Sequence, residues 1–289
     1  MDNKKKALIL TILAGILWGS SFPAIKIGLK FIDAYMFVFL RFFIASIIMF
    51  FILLLNKNLD LKFGKKRIIW FLGILNGVAY LLQYIGMNFT TASKSSLLVN
   101  LSAIWVAILS SFLLKERLGS KKVVGIVFGI LGIFLITTNL NFFTLSRGMI
   151  WGDLLVLSSG IVWAIFIVYN KKFITDTENT FQFAAWTLFI TVLPLIPFIS
   201  FSNNPSLNLP VEAWLAIGYT AIFCWIVPYY LWLKGLKYIS PVTSTIILLT
   251  EVIVAVAIST ILLNEMLTIV SGIGAFLILL AIVLVSQVG

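Results

Sequence analysis

Stretches of roughly 20 apolar residues recur from one end of this 289-residue chain to the other, and they decide what it can fold into. An α-helix of about that length crosses ~30 Å of hydrocarbon at ~1.5 Å per residue. Ten such runs are predicted, at Ala7–Leu29, Ala34–Leu55, Ile68–Met87, Ser95–Leu114, Val123–Thr138, Trp151–Tyr169, Phe181–Ser200, Ala213–Leu233, Pro241–Leu263 and Thr268–Gln287. Side chains are 61% hydrophobic and 11% charged, where a soluble domain carries about 25% charge. A water-exposed surface could not be built from that inventory. A membrane β-barrel would show alternating segments of about 10 residues, which these continuous blocks do not resemble. The predicted fold class is an all-α polytopic membrane protein with ten transmembrane helices.

The residues that are missing exclude much chemistry. One cysteine, Cys224, permits no internal disulfide. Without histidine there is no His-based metal site and no Ser/His or Cys/His nucleophile pair. The longest polar stretches, Asn56–Arg67 and Ser202–Glu212, are too short for a soluble domain of about 50 residues. No G-x-x-x-x-G-K-[ST] motif occurs, and the ten acidic residues are scattered. A membrane-embedded enzyme, such as a lipid-modifying transferase, needs a clustered acid/base or metal constellation. The expectation is therefore no enzyme, no cofactor and no metal, with any driving force drawn from an ion or substrate gradient.

The net charge of +11 is read as orientation and not as nucleic-acid binding. With ten spans and a cytoplasmic N-terminus, sixteen Lys and Arg fall on the inner side, among them Lys4, Lys5, Lys6, Lys65, Lys66 and Lys122. Four fall outside: Lys26, Lys30, Lys94 and Arg147. That asymmetry predicts a multi-pass protein of the cytoplasmic membrane with both termini in the cytoplasm. The Met1–Lys6 start and the apolar run after it are read as an uncleaved first span, since the run continues past Trp18 without an A-x-A site.

The chain also repeats itself. A shift of 145 lays Gly15 and Trp18 on Gly160 and Trp163. A shift of 149 lays Phe89, Glu116, Leu118 and Gly125 on Tyr238, Glu265, Leu267 and Gly274. Two five-helix units are implied, 1–140 and 146–289. Five is odd, so the second must enter the bilayer from the opposite side, as an inverted-topology repeat.

Several short motifs stand in a consistent order: LWGSSFPAIKIGL in the first run, FLRFFIA in the second, and KERL and NEML at the ends of the fourth and ninth. A glycine, Gly125 or Gly274, follows nine residues after each motif's Glu. Together they resemble the EamA family of the drug/metabolite transporter superfamily, over nearly the whole chain. The resemblance implies ten helices, a central cavity lined by both halves, and export or exchange of small metabolites such as amino acids. Family members often carry proline in spans four and nine. This chain has Ala103 and Val252, so no helix break is expected there.

Candidate site residues come from two matched stripes. Asn76, Tyr80, Gln83 and Tyr84 share one face of span three. Their counterparts 149 residues on, Trp225, Tyr229, Trp232 and Leu233, share a face of span eight. Polar-aromatic stripes would line a substrate cavity, the alternative being an interfacial aromatic belt. Trp18 and Trp163, related by the repeat, join either that cavity or the core. Among ionisable groups, Glu251 lies mid-span and Arg41 a third of the way into span two. They are either structural, with Arg41 paired to Glu251 or to a backbone carbonyl, or, through Glu251, a proton-coupling site. Lys26 is read as snorkelling to the interface. Gly125, Gly129 and Gly132, with Gly272, Gly274 and Ala281, form a helix-packing seam within a monomer or across a homodimer. Pro23, Pro194, Pro197 and Pro228 interrupt their helices, with Pro228 beside the stripe.

The leading functional expectation is a secondary transporter that exports or exchanges a small polar or amphipathic metabolite by alternating access. A lipid flippase or a non-transporting membrane partner protein is the alternative.

Overall fold

The computed structural model describes residues 2–56, 59–87, 89, 98–143, 150–202, 207–263 and 268–287. Among them every regular element is helical. In chain order these are α1 (Asn3–Gly19), α2 (Ser21–Gly28), α3 (Ala34–Leu55), α4 (Leu61–Gly64), α5 (Arg67–Met87), α6 (Ser102–Leu113) and α7 (Ser120–Thr138). They continue with α8 (Ile150–Ile174), α9 (Thr180–Thr191), α10 (Val211–Ala221), α11 (Val227–Leu236), α12 (Pro241–Leu248), α13 (Thr250–Leu263) and α14 (Ile269–Ser286). A 3₁₀ segment, Leu193–Phe201, follows α9, and a π-turn, Ile222–Ile226, joins α10 to α11.

Eight helical stretches are long and apolar enough to cross a membrane, and they cover the predicted spans other than four and nine. For those two, the apolar helices Leu98–Leu113 and Pro241–Ala255 are shorter. The predicted start of span four, at Ser95, and Glu265 of NEML lie outside the described residues. So do Lys94, Arg147 and parts of both long polar stretches.

Local sequence sets the ends. Asp33 begins α3 by accepting from the backbone N–H of Tyr35 and Met36, at 3.0 and 3.2 Å. Thr268 and Ser271 form a reciprocal capping box at the start of α14. Asn139, in the left-handed conformation (φ 50°), closes α7. The outward faces carry Leu13, Phe43, Ile47, Leu131 and Phe276, all exposed, as a lipid-facing surface requires.

The expectation of unbroken helices in spans four and nine is corrected. Tight i→i−3 bonds interrupt both, Ile104 N–H to the Leu101 carbonyl at 3.0 Å and Val252 N–H to the Leu249 carbonyl at 3.0 Å. No proline is required, because a 3₁₀ turn satisfies the backbone N–H while interrupting the α-helical bonding. The expected proline interruptions are present. Pro23 follows a break at Ser20, Pro194 and Pro197 lie in the 3₁₀ segment, and Pro228 stands two residues after the π-turn.

Helices pair α1 with α11, α5 with α8, and α7 with α14, and the close contacts recur at equivalent positions. A Cβ on Gly86 would meet the Gly152 carbonyl at 2.9 Å and Val156 at 2.6 Å. One on Gly235 would meet the Ala7 carbonyl at 2.9 Å and Thr11 at 2.5 Å. Gly125 likewise abuts Val285, while Gly274 abuts Ile136. Glycine is needed at these crossings because the neighbouring backbone leaves no room for a side chain. The seam of small residues is therefore internal to the chain. Gly272, expected in it, instead faces open space.

Candidate functional site

Aromatic rings from five helices meet around one buried cation. Arg41, on α3, is 2% exposed, and its Nη2 donates to the Cys224 carbonyl at 3.1 Å. That carbonyl is free because Pro228, four residues on, has no N–H to return to it. The π-turn thus creates an acceptor in the interior, and Arg41 fills it. The Arg41 Cζ stands 5.6 Å from the ring centre of Phe42, 5.7 Å from Tyr80 and 5.6 Å from Trp225. Each such contact stabilises a desolvated cation by about 1–2 kcal/mol.

The rings form a connected cluster. Tyr80 packs edge-on against Trp163 at 5.0 Å and Trp225 at 5.1 Å, and Phe42 sits 4.8 Å away. Trp225, Tyr229 and Trp232 stack along α11 at 5.6 and 5.9 Å. Trp18 lies 6.1 Å from both Trp225 and Trp232. Polar tips are tied down at the margins: Trp163 Nε1 to Gln83 Oε1 (3.3 Å), the Tyr229 hydroxyl to Asn170 Oδ1 (3.2 Å) and Trp232 Nε1 to Ser244 Oγ (2.8 Å). The cluster is closed in this conformation, with Tyr229 and Trp225 only 1% and 2% exposed. A cavity of about 160 Å³ lies elsewhere, between Phe63, Lys66, Phe173 and Asp176.

Most of the predicted residues are thus brought together: Trp18, Tyr80, Gln83, Tyr84, Trp163, Trp225, Tyr229 and Arg41. Two are not. Asn76 donates to the Thr191 hydroxyl at 3.0 Å, between α5 and α9, and its buried Oδ1 has no partner. Glu251 is half-buried on α13, where its backbone lies against Gly15 and Gly19 of α1. Arg41 and Glu251 do not form an ion pair; the ion pair among the described residues is Lys122–Glu116, at 2.8 Å. Of the two structural partners expected for Arg41, Glu251 and a backbone carbonyl, the guanidinium takes the carbonyl, that of Cys224. The side chain of Lys26 lies outside the described residues.

Sequence reasoning missed Phe42, Phe166, Asn170 and Ser244. Phe166 sits three residues after Trp163 on the same helical face, so spacing could have found it. Phe42, Asn170 and Ser244 join only through tertiary packing. Trp232 was visible as the counterpart of Gln83. The contact of Trp232 with Trp18 indeed matches that of Gln83 with Trp163.

Its relatives place this multi-pass helical membrane protein among the membrane transporters and not the enzymes. The profile of the EamA-like transporter family matches residues 5–138 and again 150–287, and the chain belongs to that family. A transporter of Archaeoglobus fulgidus is 31% identical over 81% of this chain and 81% of its own length. Another from that organism is 29% identical over 98% and 99%. A probable amino-acid metabolite efflux pump of Escherichia coli is 27% identical over 95% and 93%. A solved crystal structure shares the fold with a TM-score of 0.81 at 17% identity, covering 97% of this chain and 96% of that one.

Proposed function

We propose that this protein is a secondary transporter of the cytoplasmic membrane that exports or exchanges a small polar or amphipathic metabolite, amino acids being the leading class. Its two halves, 1–140 and 146–289, act as inverted five-helix repeats of a ten-helix protein, with both termini cytoplasmic. They alternate access to the aromatic cluster. The reciprocal glycine contacts support this reading. Gly86 meets Gly152 and Val156 as Gly235 meets Ala7 and Thr11, which is the i-to-j, j-to-i pattern of a twofold relation. With five helices in each half, such an axis lies in the membrane plane and passes between the stripes. Likeness to the Escherichia coli efflux pump supports the amino-acid class and the outward direction. Coupling to protons through Glu251 belongs to the same reading.

The test is efflux of radiolabelled amino acids from proteoliposomes. Wild type should release at least one amino acid faster than protein-free vesicles do. Gln83→Trp, which puts an indole into the centre against Trp163, should abolish release while the protein still elutes as a single species. Normal transport by this variant would show that the stripe is packing.

A further inference from the structure

We propose that the cavity between Phe63, Lys66, Phe173 and Asp176 is a phospholipid headgroup site, selective for a zwitterionic lipid that carries a primary ammonium, the phosphatidylethanolamine class. The site depends on the membrane placement of the helices and not on what the protein transports.

Position in the bilayer is the first observation. The cavity, about 160 Å³, lies between the start of α5, at Lys66 and Ile68, and the end of α8, at Phe173, Asp176 and Thr177. There the membrane-spanning stretches Arg67–Gly86 and Ile150–Ile174 leave the hydrocarbon. Indoles mark the same level, as amphipathic rings do where headgroups meet acyl chains. Trp70 Nε1 donates to the Gly64 carbonyl at 2.8 Å and Trp186 Nε1 to the Asp60 carbonyl at 3.2 Å. An apolar track leads from the cavity into the membrane. The Phe173 ring stacks on Tyr169 at 6.4 Å, and Tyr169 meets Phe71 edge-on at 5.0 Å. Phe71 is 40% exposed and Ile74 43%, about 4.5 and 9 Å further along α5 than Ile68. A headgroup held in the cavity thus continues into an acyl chain that lies on these side chains.

The charges select the headgroup. Lys66 and Asp176, both exposed at the rim, line one cavity without forming an ion pair among the described residues. Lys66 Nζ instead stands 3.9 Å from the centre of the Phe63 ring. Lys172 Nζ, 5.9 Å from the Phe173 ring, is a second cation beside the track. A basic pocket alone would take any anionic headgroup. Asp176 narrows the choice, because a carboxylate only accepts hydrogen bonds and repels a second anion, so its partner is an ammonium with N–H donors. A phosphate for the two lysines joined to a primary ammonium for Asp176 satisfies both ends. The glycerol headgroup brings no cation, and a quaternary ammonium brings charge without an N–H. The floor, Phe63 and Phe183, is buried and apolar and faces the carbon link between the two charges. A cavity of about 150 Å³ holds a benzene molecule, so the volume suffices for that link and its ammonium.

The experiment is native mass spectrometry of the full-length protein in detergent, reading the first lipid bound. The probes are dioleoylphosphatidylethanolamine, dioleoylphosphatidylglycerol and water-soluble glycerophosphoethanolamine. Wild type should hold the ethanolamine lipid about fivefold or more tightly than the glycerol lipid. Asp176→Asn should lower the ethanolamine lipid to the level of the glycerol lipid and leave the latter undiminished. Lys66→Gln should weaken both several-fold, whereas Lys65→Gln, at an exposed position outside the cavity lining, should change neither. Equal binding of the two lipids, a wild-type preference in Asp176→Asn, or equal losses in Lys65→Gln and Lys66→Gln would each overturn the proposal. Glycerophosphoethanolamine binding as tightly as the intact lipid would overturn it too, because the cavity would then take a soluble zwitterion and the apolar track would play no part.

Discussion

Substituting alanine for Gly132, Gly129 and Gly272 separates a helix crossing from a helix surface. At Gly132, on α7, a new Cβ would stand 2.6 Å from the Gly274 carbonyl and 2.7 Å from Ile278 Cγ1 of α14. The carbonyl is backbone of the facing helix and cannot turn away. At Gly129 the single neighbour is Leu249 Cδ1 at 2.6 Å, the end of a flexible side chain, and at Gly272 nothing lies within 4 Å. Alanine gains about 1 kcal/mol over glycine inside a helix at every site. Overpacking costs about 1–3 kcal/mol where the neighbour cannot yield. Gly272→Ala should therefore stabilise by up to about 1 kcal/mol, Gly129→Ala should be near neutral, and Gly132→Ala should destabilise by about 1 kcal/mol. A midpoint shift of about 2–4 °C per kcal/mol is expected for a chain of this order of size. Cys224, fully buried, supplies the assay, since a fluorogenic maleimide reports its exposure on heating. If Gly132→Ala melts with Gly272→Ala, α7 and α14 do not pack as described.

Two further measurements address topology and coupling. In a Cys224→Ala background, a membrane-impermeant maleimide added outside should label Leu207→Cys and spare Lys62→Cys; the reverse would sink the inverted repeat and the charge-based orientation together. Transport into an imposed pH gradient should change with the gradient in wild type and become indifferent to it in Glu251→Gln; full proton dependence in the variant would remove Glu251 as the coupling group.

Much of the candidate site was legible because its signal is periodic. Tyr80 and Tyr229 are separated by the internal repeat and lie on stripes that any helix would present to one side. The cation was legible as well, since a charge within an apolar run must face protein or water. Its partner was not. Arg41 could pair with Glu251 or with a carbonyl, and sequence separation says nothing about which group is nearer in space. The breaks at Leu101 and Leu249 were also hidden, because a 3₁₀ turn without proline carries no compositional mark.

Sequence by itself determined the membrane, the helices, the doubled organisation and the family, because each follows from one-dimensional quantities: run length, spacing and repeat period. Only the tertiary structure decided which donors remain unpaired, that Asn76 meets Thr191, and that Gly272 faces outward while Gly274 is locked against Gly132. Pairing and clearance are properties of two helices at once. A residue's own helix fixes the direction in which it points, and the neighbour's position fixes what it meets.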